Sequence, residues 1–162
     1  MITADKVLSE IQLNKFLKKL RGEKDKSLLT IHKSTKRLPK EVRVVMDYYL
    51  FAILAHTGLR ISEALNLKWS DTHDDFLIVR AEISKNRKRG TVYFGPKTRA
   101  ILNELMNLRT NILKRVDTDL LFSHSGKIPS RSYAHSRFKY WIAQCSLPSE
   151  LSIHSLRLSS PM

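Results

Sequence analysis

The segment Thr57-Gly58-Leu59-Arg60-Ile61-Ser62-Glu63 sets a glycine between two apolar-periodic runs and an arginine at the start of the second run. A glycine there permits a sharp turn. Amide donors at a helix start, joined by a guanidinium, can converge on a phosphate. Glu63 follows Arg60 by three residues, a spacing that lets its carboxylate brace the arginine side chain. Taken singly, an arginine at a helix start is usually a solvated surface residue, so this segment acquires meaning only from its company.

That company is a basic cluster and a histidine-arginine pair. Lys85-Asn86-Arg87-Lys88-Arg89 puts four cations into five residues between two β-prone runs. Such a tip cannot serve a core. It is either a solvated loop or a basic finger laid on a nucleic-acid backbone. His154-Ser155-Leu156-Arg157 follows apolar Leu151 and Ile153, and on a helix positions 154 and 157 share a face. The pair is common by chance, and a fourth stretch, Leu121-Phe122 with Gly126 and Pro129 after it, reads as core followed by loop.

The elements that must position these residues follow from periodicity and punctuation. Ser9 with Gln12 forms a capping box, and Leu13, Phe16, Leu17 and Leu20 make an apolar stripe that Gly22 is expected to stop. Glu23 to Arg37 is polar without a period and reads as a linker or mobile loop. Pro39 suits a first turn, and residues 41–56 form a helix apolar on nearly every face, which belongs at the centre of a core. Thr57-Gly58 ends it, and residues 60–67 start a short helix.

Residues 69–71 are expected as a brief strand, and 76–83 with 90–94 as a hairpin. Lys97 to Leu113 reads as a helix with Ile101, Leu102, Leu105, Met106, Leu108 and Ile112 turned inward. Ser130 caps a helix to Cys145 that buries Ala134, Phe138, Trp141, Ile142 and Cys145, and Pro148 closes it. The fold class is therefore α+β, mainly helical: a single domain with a small antiparallel sheet.

Composition narrows the partner. The 162 residues carry 29 Lys+Arg against 15 Asp+Glu, a net charge of +14, with 42% hydrophobic residues. A field of that sign favours a polyanion, nucleic acid first. The single cysteine, Cys145, excludes an internal disulfide and fits a reducing compartment; it reads as a small buried residue. The six histidines and one cysteine show no metal-ligand spacing. The N-terminus lacks the apolar stretch of a signal peptide, and the longest apolar run, 48–55, is too short to cross a bilayer.

In combination, Thr-Gly-Leu-Arg-x-Ser-Glu, a basic β-hairpin, Leu-Phe and then His-x-x-Arg resembles the tyrosine recombinase, or phage integrase, family, from about Ala52 to Arg157. The resemblance implies the fold of a DNA breaking-rejoining catalytic domain and site-specific DNA recombination or integration for a mobile element. It implies residues 1–40 as an N-terminal helix and linker, and 41–162 as a C-terminally truncated catalytic domain. The reaction it implies is attack by a tyrosine hydroxyl on a phosphodiester, giving a 3′-phosphotyrosyl link and a free 5′-hydroxyl.

By position, Arg60 and Arg157 correspond to the family's phosphate clamps, each able to donate two hydrogen bonds to non-bridging oxygens. Lys85, seven residues before Val92, matches the hairpin lysine that protonates the leaving 5′-oxygen, with Lys88 in the same turn as the alternative. His154 assists proton transfer, Glu63 supports Arg60, and Arg87, Lys88 and Arg89 contact DNA. The resemblance implies double-stranded DNA as partner, no metal, no cofactor, no membrane, and a cytoplasmic, nucleoid-associated place in a bacterium or phage host.

One departure is large. In the family the nucleophilic tyrosine follows His-x-x-Arg, whereas Tyr48, Tyr49, Tyr93, Tyr133 and Tyr140 all precede His154. The expectation is a fragment without its nucleophile, a monomer, inactive in cleavage. A non-catalytic DNA-binding module or decoy is the alternative, and a basic structural protein with an accidental motif match is a third reading.

Overall fold

The structure, a computed structural model, describes residues 7–34, 36, 38–114, 118–123 and 127–159, the last three as backbone only. Met1 to Lys6, Gly126 and the side chain of Arg157 lie outside the described residues. Helix α1 spans Glu10–Lys33 and α2 Pro39–Thr57; α3 is Ile61–Leu65. Strands β1 (Phe76–Val79) and β2 (Gly90–Tyr93) pair antiparallel, Phe76 opposite Tyr93 and Val79 opposite Gly90. Helix α4 (Pro96–Asn107), a π-helical turn (Leu108–Ile112), α5 (Arg131–Gln144) and α6 (Ile153–Ser159) complete the order. The mainly helical α+β expectation holds. Among the described residues, no helix is long and apolar enough to cross a membrane.

Helix α1 starts as its sequence dictates: Ser9 Oγ accepts the Gln12 N–H at 3.1 Å, and Gln12 Oε1 accepts the Ser9 N–H at 2.9 Å. It does not stop at Gly22, and the expected linker from Glu23 is helical to Lys33. An interior glycine costs only about 1 kcal/mol relative to alanine, and the core-facing stripe continues past it through Lys24, Leu28 and Ile31. The period is masked because one of its positions is a lysine. Lys24 is buried, with Nζ 5.1 Å from the Tyr48 ring centroid and 2.7 Å from the Asp25 carboxylate.

Helix α2 is the central helix. Every residue from Val45 to Ala55 is buried. Phe16 of α1, Phe51 of α2 and Phe138 of α5 meet at centroid separations of 5.4 to 5.9 Å in tilted and edge-on pairs. Asp47 ties α2 to α5: its Oδ2 lies 2.7 Å from Arg137 Nη2 and accepts the Trp141 indole N–H at 2.8 Å. Burial, the largest influence, pushes the Asp47 carboxyl above its ordinary range, against the pull of Arg137 and Trp141.

Three further local expectations need correction. Residues 69–71 form a 3-10 turn, because the Asp71 carboxylate accepts the Lys68 N–H at 2.9 Å and closes it. Strand pairing ends at Val79, since the Arg80 carbonyl accepts the Ile83 and Ser84 amides in a turn. Met106 is 44% exposed, while Ile101, Leu102, Leu105 and Leu108 are buried as expected. The helix from Lys97 loosens into the π-helical turn, where the buried Arg109 guanidinium donates to the carbonyls of Leu121 and Ser123. Those bonds hold the apolar run 120–122 in the core.

Candidate functional site

Arg60 sits where α2 turns into α3. Gly58 takes φ 71° and ψ 15°, a left-handed conformation that suits glycine, and its N–H donates to the Leu54 carbonyl at 3.1 Å. Thr57 Oγ1 donates to the Ile53 carbonyl at 2.6 Å, and buried Leu59 and Ile61 anchor the turn on either side of Arg60. Arg60 itself is half-buried and caps α3. Glu63 does not pair with its guanidinium, as the spacing suggests; its Oε1 accepts the Arg60 backbone N–H at 2.9 Å. Among the described residues, the guanidinium forms no ion pair. A cation free of internal partners on a fixed backbone is suited to an incoming anion.

The hairpin tip is built as an exposed basic turn. Lys85, Arg87, Lys88 and Arg89 are all exposed. Asn86 Oδ1 accepts from Ser84 Oγ at 2.7 Å and from the Lys88 N–H at 3.1 Å, while Arg87 takes φ 58°. Arg80, which the motifs do not single out, stands at the base of this hairpin. Its Nε donates to both Asp71 carboxylate oxygens at 3.0 and 3.1 Å, and its Nη2 donates to the Asn66 carbonyl at 2.7 Å. Asn66 caps the C-terminus of α3. Arg80 therefore ties the basic hairpin to the helix that Arg60 begins; a lone arginine after a strand carries no sequence signal for this.

His154 is exposed on α6, whose buried residues Ile153, Ser155 and Leu156 face the interior. Ser155 caps the start of that helix, its Oγ accepting the Ser152 N–H at 3.2 Å. Beside His154 lies His135 of α5, ring centroids 6.0 Å apart, another residue the sequence reading overlooked. Burial, then the charges of His154, Arg131 and Lys139, hold the His135 imidazole below its ordinary range. No hydrogen bond joins Arg60, Lys85 and His154 to one another among the described residues. No group of three or more His, Cys, Asp or Glu side chains suited to a metal occurs among them either.

Comparison with known proteins agrees with this architecture. The family model described as the phage integrase family matches residues 18–162. The tyrosine recombinase XerD of Halalkalibacterium halodurans is 28% identical over 148 residues, covering 80% of this chain and 49% of the relative. The chain thus spans about half the length of that curated relative. Among solved structures, the XerA recombinase superposes with a TM-score of 0.68 at 19% identity, over 93% of this chain and 46% of that one. The XerH site-specific recombinase bound to its difH substrate before cleavage gives 0.67 at 25% identity, over 95% and 41%. With a family match that begins within α1 and runs through α6, this chain belongs to the phage integrase family.

Proposed function

We propose that this chain provides the catalytic-domain framework of a site-specific tyrosine recombinase and engages the phosphate backbone of double-stranded DNA. The observation that carries the reading is the half-buried Arg60 guanidinium, without an ion pair among the described residues, on a backbone fixed by Glu63 and inside a family match covering most of the chain. In this reading Arg60 and Arg157 grip the non-bridging oxygens, and Lys85, or Lys88 in the same turn, delivers a proton to the leaving 5′-oxygen. His154 assists proton transfer, and Arg87, Lys88 and Arg89 hold the flanking backbone. XerH bound to difH, a relative by fold, supports DNA as the ligand. The charge of +14 supports it independently.

The tyrosines favour binding without cleavage for the 162-residue chain. Tyr48 and Tyr49 are buried, and burial pushes both phenols up. Tyr133 is pushed up by the same cause, and the Tyr140 ring is covered by the Arg137 guanidinium at 4.8 Å from its centroid. Tyr93 is exposed on β2 and packs near Phe76. In Tyr48, Tyr49 and Tyr133 burial thus favours the neutral phenol over the phenolate. The test pairs sedimentation of the chain with duplex DNA and a denaturing gel after incubation with a suicide substrate. The reading expects a monomer that binds DNA and forms no covalent adduct. An adduct abolished by one Tyr→Phe substitution would overturn the binding-only assignment, and absence of binding at low salt would overturn the DNA reading.

A further inference from the structure

Helix α5 carries Arg131, His135 and Lys139 at successive four-residue intervals, so the three share one face. His135 on this face meets the His154 ring of α6 at 6.0 Å and an interplanar angle of 59°. One turn further, the Lys139 ammonium donates to the carbonyl of Ser149 at 2.6 Å and to that of Leu151. Those carbonyls belong to the segment that delivers the chain into α6. Lys139 therefore fastens the approach to His154, and His135 abuts its ring. We propose that His135 and Lys139 are positioning residues for His154: α5 fixes the segment before α6 through Lys139 and sets the orientation of His154 through the His135 ring.

The arrangement has an electrostatic consequence. The groups acting on His135 are Arg131 and Lys139 of its own helix and His154 of α6, all cationic or able to become so. No carboxylate among the described residues offsets them. Positive charge at His154 therefore opposes a proton on His135. Below the pH at which His135 protonates, this face gains a positive charge, which strengthens attraction for phosphate. The functional half of this inference rests on the proposed DNA reading; the positioning half does not.

The test follows the His135 imidazole by nuclear magnetic resonance across pH in the full chain, with no DNA present. In His154→Gln, an exposed substitution, the His135 midpoint is expected to rise, and an unchanged midpoint would overturn the pairing. Lys139→Met is expected to displace the His154 ring resonances at fixed pH and Lys139→Arg to restore them. If both behave as the unsubstituted chain, Lys139 has no positioning role. Should Lys139→Met fail to fold, the shift between Lys139→Arg and His154→Gln still separates the two contributions. Duplex-DNA affinity measured over the same range is expected to rise as pH falls through the His135 midpoint, and His135→Gln to remove that rise. Loss of DNA binding at every pH would count against the DNA reading, while the DNA-free titrations decide the positioning claim by themselves.

Discussion

The Glu63 carboxylate accepts the Arg60 backbone N–H at 2.9 Å, so it fixes where the arginine stands without engaging the guanidinium. Glu63→Ala removes the bond that anchors the start of α3, a five-residue helix with little else to define its first turn. The expected cost is about 1 kcal/mol of stability, the usual value of a lost helix cap. DNA affinity should fall with it. Glu63→Gln retains an acceptor oxygen and should recover most of both. Thermal unfolding and a DNA-binding titration on the two variants check this.

Asp47 serves Arg137 and Trp141 at once from the middle of α2. Asp47→Ala leaves a mostly buried guanidinium and an indole N–H without their acceptor. The expected loss is about 3 kcal/mol, typical of breaking a buried ion pair from one side. Because burial already opposes the charged form of Asp47, Asp47→Asn should cost less. Denaturant unfolding of the three proteins orders them as unsubstituted chain, Asn, then Ala.

His56 is half-buried near Lys97, and burial first, then that lysine, holds its imidazole below the ordinary value. A histidine with a lowered folded pKa is neutral in both states at pH 8. As pH falls through about 6.5, the unfolded chain takes up the proton first, and stability drops until the folded chain protonates as well. His135 acts in the same direction. His56→Gln should therefore show a smaller fall in melting temperature between pH 7.5 and 5 than the unsubstituted chain. Equal falls would contradict the assignment.

The hairpin cations are exposed and none forms an ion pair among the described residues. Replacing Arg87 and Lys88 with alanine should leave folding unchanged and flatten the dependence of DNA affinity on salt. The log–log slope is expected to shrink by about 1 for each phosphate that the hairpin no longer neutralises. Binding measured at several salt concentrations, with unfolding as control, provides the check.

Much of this architecture is legible in the sequence because single residues punctuate it. Ser9 with Gln12, Pro39, Gly58 and Ser130 mark helix ends by their own chemistry, and the apolar wrap of residues 45–55 announces a central helix. The long α1 is hidden because a buried lysine, Lys24, interrupts its apolar stripe and is held there by Tyr48 and Asp25, residues the local sequence cannot weigh together. The candidate site is half legible. Arg60, Lys85 and His154 are visible through spacing and resemblance. The tie through Arg80, the His135–His154 pair and the Lys139 clamp depend on long-range packing, and Glu63 binds a backbone amide where spacing alone suggests a side chain.

The central claim is that Arg60 meets a DNA phosphate, and the most direct measurement is duplex-DNA affinity against salt for the unsubstituted chain, Arg60→Lys and Arg60→Ala. Affinity should fall linearly with log salt for all three, with the Arg60→Ala slope shallower by about 1 and its affinity lower across unrelated sequences. Arg60→Lys should keep the slope but not the full affinity, since an ammonium cannot donate in the paired geometry of a guanidinium. An Arg60→Ala protein that folds and binds DNA with the same affinity and slope as the unsubstituted chain would contradict the account.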